Sequence, residues 1–525
     1  VLLDRTGRLL RILNEASGLR DEIVRYSYVD RQGGLWLALS NGLARVETGA
    51  PLSYWNKTSG LDGNVKEVAR HQGRLYAATT QGVYSLASAS EGAAPRFLPC
   101  PGISTQCWAL LSTPQGLLAG CQGGLYNVDD QQLILPHNGH VLEVVRSRRD
   151  TTLLYLGLDE GLARLHFTAG QWTEVGRRDH FDSVHSIVED AQGRLWTGTD
   201  GEGVFRLQAV LSDDPVITRF GVADGLPFGT NRPRTVAGRV MVWADQGARL
   251  FRLAAGADSV RFVPDTTFDA FLPRRSGSIE YLTEDDRGRV WIAAGADSGV
   301  AQPAAEGGYT WAPTALRRAP TRDIDEMHVE TGGPLWVGGP HGLIRYDTNH
   351  SLDPSTSYPV RIRRITTSAG SVFYHGRPGD LPAEWPYRDN ALRFAFAAPR
   401  YDAPGRTQYR VRLDGHDDDW SAWVNETDKD YTDLWEGRYV FRVEARDVYG
   451  LVSREDTFAF RILPPWYRGW WAYSLYGLAF AALVAAYVRS NRKKLQRERA
   501  VSARLREVDK LKDEFLANTS HELRT

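Results

Sequence analysis

The sequence predicts a mainly β protein: a β-propeller, then an immunoglobulin-like β-sandwich, one transmembrane helix and a cytoplasmic coiled-coil helix. Three observations support this fold class. One phrase recurs eight times within residues 1–357, segments that alternate at period two occupy 358–464, and 469–488 contain no charged side chain. A period of this length indicates stacked supersecondary units, alternation indicates strands, and a long uncharged run indicates a membrane helix.

Composition agrees with a large, strand-rich chain. At 525 residues the chain is too long for a single core, so we expect three or more domains. Its 51 Gly and 16 Trp, with only 2 Met, suit many short strands and tight turns. The formal net charge of −1 gives no polycationic signature, so we expect no nucleic acid partner for this chain.

The repeated phrase joins apolar residues, an aromatic residue, a glycine turn and a second strand. A unit of this length with four strands is one propeller blade, and blades close radially because a lone blade cannot bury both of its faces. Residues 1–14 also predict strands, so we expect one seven-bladed ring plus the edge of another. The eight copies lie around Trp36, Tyr76, Leu118, Tyr155, Trp196, Met241, Trp291 and Trp336.

Positions within the repeat lead to different expectations. A glycine six residues after the aromatic position indicates a tight hairpin that needs a positive φ. The aromatic residue recurs from blade to blade, which favours packing between blades over stacking on a ligand. Ligand contacts are instead expected in loops that differ between copies, such as 200–203 and 227–233. The hairpin glycines are Gly42, Gly82, Gly161, Gly247 and Gly342.

The chain has three cysteines, Cys100, Cys107 and Cys121, which lie close together in the sequence. In an oxidising periplasm Cys100 and Cys107 would be able to pair. Three unpaired, partly buried thiols fit the spacing equally well. The sequence leaves both alternatives open.

From Tyr358 the repeat stops, and alternation at period two with Pro and Gly turns predicts a small antiparallel sandwich over 358–464. We expect Trp420, Trp423 and Trp435 to fill its core. The acidic turn at 417–419 is interpreted as solvated, so no metal site is predicted. The segment 409–450 resembles the Tyr-rich Y_Y_Y domain, which links propeller to membrane in propeller-bearing two-component sensors.

The uncharged segment from Gly469 to Val488 predicts a membrane span, since a helix of this length reaches roughly 30 Å. Six basic residues follow it closely, whereas only Arg461 and Arg468 precede it closely. The positive-inside rule therefore places residues after Val488 in the cytoplasm and residues before Gly469 in the periplasm, in a single-pass inner-membrane protein. No export signal is visible before Val1, so we expect the chain to begin inside a longer precursor. An outer aromatic belt is expected from Trp466, Tyr467, Trp470 and Trp471.

The segment 489–525 predicts a coiled coil and the start of a dimerisation domain. It has no Pro or Gly, and apolar residues recur at spacings that average 3.5. We therefore expect a homodimer through the membrane helix and the coiled coil. Within the span, Gly477, Ala481 and Ala485 recur every four residues, which fits either a dimer seam or small residues that face lipid. The apolar seam of the coiled coil would consist of Val501, Leu505, Val508, Leu511 and Phe515.

The last eleven residues, FLANTSHELRT, resemble the H-box of sensor histidine kinases. The resemblance implies that His521 is the phosphoacceptor and that Glu522 orients or deprotonates its imidazole. A neutral imidazole nitrogen is a competent nucleophile near pH 7, and Arg524 is placed to offset phosphate charge. The resemblance also implies that ATP and Mg²⁺ are bound by a kinase domain beyond Thr525, because this chain contains no nucleotide-binding motif. The phosphoryl group would then pass to the aspartate of a response-regulator receiver.

The order of these modules resembles that of hybrid two-component sensors, and it implies detection of a small extracytoplasmic solute, for example a saccharide. One alternative is a membrane-anchored propeller enzyme of the lactonase or lyase type. That alternative requires His and carboxylate residues clustered at the propeller centre, and the scattered His71, His185 and His341 do not obviously supply them. The other alternative is the same sensor with a cyclase or DNA-binding output.

Overall fold

A computed structural model describes residues 2–3, 6–7, 9–15, 18–87, 95–179, 181–208, 215–244, 249–255, 260–268, 270–271, 279–294, 298–319, 323–349, 357–367, 370–374 and 384–522. The chain divides into two compact units, Val1–Ser355 and Thr356–Thr525. The mainly β class that the sequence predicts is confirmed.

The first unit consists of strands and short connections. Its strands, in chain order, are β1 (Leu2–Leu3), β2 (Leu9–Arg11), β3 (Val24–Val29), β4 (Gly34–Leu39), β5 (Gly42–Glu47), β6 (Leu52–Trp55), β7 (Val65–His71), β8 (Arg74–Thr79), β9 (Gly82–Leu86), β10 (Phe97–Pro99), β11 (Cys107–Thr113), β12 (Gly116–Asn127), β13 (Gln132–Arg146), β14 (Leu153–Leu158), β15 (Gly161–Thr168), β16 (Gln171–Arg178), β17 (Val184–Glu189), β18 (Leu195–Thr199), β19 (Val204–Gln208), β20 (Val216–Phe220), β21 (Asn231–Val236), β22 (Arg239–Ala244), β23 (Arg249–Ala255), β24 (Val260–Pro264), β25 (Tyr281–Glu284), β26 (Val290–Ala293), β27 (Gly299–Pro303), β28 (Tyr309–Pro313), β29 (Glu326–Val329), β30 (Leu335–Gly339) and β31 (Gly342–Tyr346).

Within the described residues, these strands form seven antiparallel blades in a closed ring. Sheets β7–β10, β17–β20, β21–β24 and β25–β28 are one blade each. The six-stranded sheet β11–β16 holds two blades, because β12 folds back at Gly123 and Gly124 and β13 runs from the edge of one blade into the innermost strand of the next. The innermost strands touch in the order β7, β11, β13, β17, β21, β25, β29 and back to β7. This is the blade number that the repeats predict.

The seventh blade combines both ends of the ring segment. Strands β29–β31 pair with β6, which precedes the first blade in sequence, with Leu343 opposite Trp55 and Tyr346 opposite Leu52. This pairing joins the two ends of the ring by backbone hydrogen bonds. Before it, β3–β5 form a separate three-stranded sheet, in agreement with the expected edge of another blade.

Replacing Gly342 by Ala should destabilise this closure. Gly342 has φ +97°, and a Cβ there would lie 2.2 Å from the carbonyl oxygen of Trp55 in β6. Gly42, at the same repeat position, has φ +113° but no heavy atom within 4 Å of its Cβ position. We expect Gly342→Ala to cost about 2–4 kcal/mol, from backbone strain plus the clash, and Gly42→Ala about 1 kcal/mol from strain alone. Thermal unfolding of the two variants measures the difference, and equal shifts would contradict it.

The other repeat glycines agree with the predicted hairpins. Gly82 has φ +120° and Gly161 has φ +138°, and each lies directly after the strand that carries the aromatic position. Gly247 lies outside the described residues. The prediction of a positive φ therefore holds at the four glycines that the structure describes.

The repeated aromatic residues pack between blades, as expected. Trp196, Trp291 and Trp336 are at most 3% exposed, and Trp196 contacts Phe262 of the following blade. Each indole Nε1 donates a hydrogen bond of 2.8–2.9 Å to a carboxylate six residues earlier, a feature that the sequence analysis missed. The pairs are Trp36–Asp30, Trp196–Asp190, Trp291–Asp285 and Trp336–Glu330.

The cysteines follow neither of the two alternatives. Cys107 and Cys121 form a disulfide, and Cys100 is a half-buried free thiol whose pKa burial raises. The bond follows from strand register, because β11 and β12 are antiparallel neighbours that place Cys107 opposite Cys121. Neither the Cys100–Cys107 pair nor a set of three free thiols, the two alternatives that the sequence left open, is therefore present.

The second unit begins with a sandwich of two four-stranded sheets, ordered β33-β32-β35-β37 and β34-β39-β38-β36. Its core is aromatic: Trp385 is 1% exposed, and the stacked rings of Phe394 and Phe441 lie 4.1 Å apart across the two sheets. The strands are β32 (Arg361–Thr367), β33 (Val372–Tyr374), β34 (Glu384–Trp385), β35 (Leu392–Ala397), β36 (Gln408–Asp414), β37 (Asp428–Tyr431), β38 (Gly437–Arg446) and β39 (Asp456–Ile462).

The three tryptophans expected in the sandwich core lie outside it. Trp420 and Trp423 are half-buried on the surface, with the Arg410 guanidinium 4.7 and 4.8 Å from their ring centroids, and Trp435 is 64% exposed. All three lie in loops, where strand alternation does not orient side chains. Asp417, in the same loop, accepts hydrogen bonds from Leu413 N and the Tyr431 hydroxyl, both at 2.8 Å.

A single helix, α1 (Trp470–Glu522), ends the described chain. Its 53 residues correspond to a length of about 80 Å. The membrane segment expected at 469–488 and the coiled-coil segment expected from 489 lie in this one helix. The apolar segment and the polar segment that follows it therefore belong to one uninterrupted helix.

Candidate functional site

A polar cavity of about 280 Å³ lies at the centre of the propeller. Every one of the seven innermost strands contributes to its wall, near the start of the part that lines the ring, which in the long strand β13 begins at Val141. The wall is charged with both signs, which distinguishes it from the apolar interfaces between blades. The lining residues are Lys66, Glu67, Trp108, Leu142, Glu143, His185, Arg232, Arg234, Tyr281, Asp325 and Glu326.

Bulges at the start of four described innermost strands shape this wall. The pairing register shifts at Lys66 in β7, Trp108 in β11, Leu142 in β13 and His185 in β17. In a regular strand, consecutive side chains point to opposite faces; a bulge adds an unpaired residue and changes its direction. Adjacent pairs such as Lys66 with Glu67 therefore line the same cavity.

One hydrogen-bonded chain crosses the cavity wall from Arg234 to Glu326. The Arg234 guanidinium donates to the Tyr281 hydroxyl at 3.1 Å, and that hydroxyl donates to Glu326 at 2.5 Å. Glu67 accepts a hydrogen bond from Leu110 N at 2.7 Å. Three glutamates, Glu67, Glu143 and Glu326, thus surround a single well-placed arginine.

This crowding affects protonation. Burial raises the pKa of Glu143 to about 7, and repulsion from Glu326 adds to the shift while Arg234 opposes it. Burial also raises the pKa of Glu67 and Glu326, and Glu326 further raises that of Glu67. Removing a carboxylate from water disfavours its charged form, and neighbouring carboxylates add to this effect. The cluster therefore holds protons at a pH where ordinary carboxyl groups have lost them.

Two further charged groups of the wall are paired. Lys66 Nζ lies 2.8 Å from Asp325 Oδ1, and His185 Nε2 lies 2.9 Å from Asp200 Oδ2. Trp108 provides an aromatic surface, with its ring 4.6 Å from that of His140.

Two segments in which the sequence places ligand contacts lie beside the cavity. The loop 200–203 reaches it through the Asp200–His185 pair, and Arg232 belongs to 227–233. His185, which looks scattered in the sequence, lines the same cavity as Glu67, Glu143 and Glu326. These residues come from different blades, so their proximity is invisible to a scan for neighbouring motif residues.

Helix α1 has the surface of a membrane segment over its first part. It is the one helix in the described chain that is long and apolar enough to cross a membrane. Leu478, Phe480 and Leu483 are 69–70% exposed. Exposed apolar surface of this extent is a liability in water but suits lipid.

The start of the helix is held to the sandwich. Arg468, just before it, lies 2.9 Å from Glu436 in an ion pair, and its guanidinium is 5.4 Å from the ring centroid of Trp435. Ala472 is 1% exposed, whereas the helix beyond it is mostly exposed. A displacement of this part of the sandwich would therefore be passed directly to the helix.

The predicted phosphoacceptor lies at the other end. His521 and Glu522 occupy the last positions of α1, and their side chains lie outside the described residues, as does all of Arg524. The described chain contains no group of three or more His, Cys, Asp or Glu residues able to hold a metal ion, including at 417–419.

Known proteins provide independent comparisons. A family model described as two component regulator propeller matches residues 180–201. Histidine kinase P4 of Formosa agariphila is 30% identical over 146 residues, which cover 26% of this chain and 11% of that protein. The extracellular domain of a hybrid two-component system from B. thetaiotaomicron has a TM-score of 0.63 and 18% identity, covering 85% of this chain and 62% of that one. A second such domain from the same organism has a TM-score of 0.43, 14% identity and coverages of 85% and 64%.

These findings show a propeller of the kind found in two-component regulators, sequence similarity to a histidine kinase, and a fold shared with the extracellular domain of a hybrid two-component system. The matched stretch spans about a tenth of the histidine kinase.

Proposed function

We propose that this chain is the sensory part of a transmembrane sensor histidine kinase, in which a small extracytoplasmic solute controls phosphorylation of His521. The observation that carries the proposal is helix α1. This helix runs without a break from Trp470, next to the Arg468–Glu436 ion pair with the sandwich, through the apolar segment to Glu522 in the H-box sequence. A continuous helix moves as a rod, so a change at one end is transmitted to the other.

A single-pass topology in the inner membrane supports this arrangement. The Cys107–Cys121 disulfide fits an oxidising compartment such as the periplasm. The basic residues that follow Val488 fit the cytoplasm. The membrane would therefore separate the propeller from His521.

A homodimer is supported by the cytoplasmic half of the helix. Its predicted seam residues are 59–68% exposed in the single chain, although all are apolar. Pairing with the same seam of a second copy would bury them in a coiled coil. Close approach of the spans would use Gly477, where no heavy atom lies within 4 Å of the Cβ position. The seam consists of Val501, Leu505, Val508, Leu511 and Phe515.

The phosphotransfer chemistry follows from the resemblance of the H-box. His521 would attack with a neutral imidazole nitrogen and Glu522 would orient the ring or take its proton. ATP would be the phosphoryl donor, held with Mg²⁺ by the kinase domain that the resemblance implies after Thr525. The acceptor from His521 would be the aspartate of a response-regulator receiver.

The solute acts only if it prefers one arrangement of the dimer. A 100-fold preference supplies about 2.7 kcal/mol, enough to shift a nearly balanced equilibrium. The resemblance implies a saccharide as one example of the solute. The side chains of the cavity wall are separate evidence for the class of ligand that the propeller recognises.

Thiol labelling tests the topology. In a Cys100→Ser background, Lys57→Cys places an exposed thiol on the propeller, and Ser502→Cys places one on α1. We expect a membrane-impermeant maleimide to label Lys57→Cys in intact spheroplasts and to label Ser502→Cys only after permeabilisation. Labelling of both thiols in intact spheroplasts would rule out transmembrane signalling by this route.

A further inference from the structure

Two groups of opposite charge in the propeller cavity, Glu143 and Arg232, make no direct hydrogen bond or ion pair within the described chain, although Arg234 acts on Glu143 from a greater distance. Among the described residues, neither the Glu143 carboxylate nor the Arg232 guanidinium has a hydrogen bond or an ion-pair partner within 4 Å. Arg232 Nε is buried without an acceptor, and its guanidinium lies 5.5 Å from the ring centroid of Trp243. Charges withdrawn from water without partners are costly, so a site that keeps them is suited to a ligand that supplies them.

The remaining charges of the wall do not satisfy these two. Lys66 is paired with Asp325 and His185 with Asp200, and Glu326 accepts from Tyr281. An anion would be repelled by the glutamates of the wall, and a cation would be repelled by Arg232 and Arg234. A neutral molecule would leave both groups without a charged partner in direct contact. Only a ligand that carries both signs complements the whole wall.

We infer that the propeller cavity binds a small zwitterion with an ammonium and a carboxylate, such as a free α-amino acid. Its carboxylate would meet Arg232, its ammonium would meet Glu143, and its side chain would pack on Trp108 and Leu142. This inference rests on the proposed function, because it names the class of solute that the sensor detects.

The size of the cavity sets a limit on this ligand. Pockets for drug-sized ligands occupy about 300–1,000 Å³. At about 280 Å³ the cavity lies just below that range, so it accommodates a single small metabolite rather than an oligosaccharide or a long peptide. The aromatic and aliphatic part of the wall favours amino acids with apolar side chains.

Binding to the full chain in lipid nanodiscs tests the inference. The probes are the L-amino acids, with the N-acetyl and methyl ester derivatives of each one that binds. We expect at least one apolar amino acid to raise the melting temperature. Each derivative should bind about tenfold to a hundredfold more weakly, since each loses one charge-assisted contact. The inference would be overturned if no amino acid binds, or if the derivatives bind as tightly as the free amino acids.

Variants assign the two contacts. Arg232→Met should bind the methyl ester as well as the free acid, and Glu143→Gln should bind the N-acetyl derivative as well as the free amine. Arg70→Met, an exposed arginine of β7 paired with Glu330, should keep the discrimination of the unaltered chain. Discrimination retained by the cavity variants contradicts the assignment. Binding of a neutral monosaccharide in place of amino acids would also overturn the zwitterion while leaving solute sensing, and the labelling result, intact.

Discussion

Replacing His521 by Gln is expected to abolish phosphoryl incorporation completely. The lone pair of the Gln amide nitrogen is delocalised into the carbonyl, so it is no nucleophile, whereas a neutral imidazole nitrogen is one. Gln favours helix formation at least as well as His, so α1 and membrane insertion should be preserved. The measurement is acid-labile, alkali-stable phosphate in membranes that hold this chain together with the kinase domain expected after Thr525.

A neighbouring variant separates the chemistry from the helix. Glu522→Gln keeps the imidazole and removes the adjacent carboxylate, so phosphorylation should persist but slow by about 10²–10⁴-fold if that carboxylate handles the proton. Both variants should insert into the membrane at the level of the unaltered chain. Alkali-stable phosphate at an unchanged level in His521→Gln would remove His521 as the acceptor and, with it, the proposed output.

The propeller could be predicted because every blade repeats the same packing. An apolar or aromatic residue in the same strand, Trp in three of the blades, and a glycine at the hairpin recur along the chain, so a period of about 40 residues is visible without any alignment. The eight copies by themselves do not settle the blade number; in the structure β3–β5 form a sheet of their own and β6 completes the last blade.

The errors occurred where strand periodicity does not determine the structure. Trp420, Trp423 and Trp435 lie in loops, so alternation in the adjacent strands says nothing about their direction. The disulfide depends on a register that sets Cys107 opposite Cys121, and this register is not visible in the spacing of the three cysteines.

The cavity was missed for a different reason. Its residues occupy equivalent places at the start of innermost strands, about 40 positions apart, and they differ between copies: Lys66, Trp108, Leu142, His185 and Arg232. A signal for them does exist in the sequence. When the copies are aligned on their innermost strands, a buried Val opens several of these strands, and the residue that follows it differs between copies. The prediction from the sequence placed the ligand contacts in loops that come later in the repeat.

Arg234→Met is expected to lower the stability of the propeller by about 3–5 kcal/mol at pH 8, because it leaves buried carboxylates without their counterion. Arg234 lowers the pKa of Glu67, Glu143 and Glu326, and it donates to Tyr281. Met fills much of the volume of the Arg234 side chain, so the loss of stability reports the missing charge rather than an empty space in the protein. Thermal unfolding of the full chain is the measurement.

The loss should depend on pH in a defined direction. Burial raises the pKa of all three glutamates in the folded state, that of Glu143 to about 7, whereas an unfolded Glu titrates near 4.3. Between these values the folded chain binds more protons than the unfolded chain, so the free energy of unfolding falls as pH rises. Without Arg234 the pKa values of the glutamates in the folded state rise further. The free energy of unfolding therefore continues to fall up to a higher pH.

The deficit of Arg234→Met should therefore be largest at pH 8 and should shrink towards pH 5, where Glu143, with a pKa of about 7, is neutral. Glu326→Gln, added to Arg234→Met, should restore part of the stability at pH 8 because it removes one of the competing charges. Arg70→Met makes the same substitution at an exposed ion pair and should cost at most about 1 kcal/mol. Its effect should vary little between the two pH values. A deficit of equal size at pH 5 and pH 8 would mean that Arg234 acts through packing, and that the glutamates of the cavity do not depend on its charge.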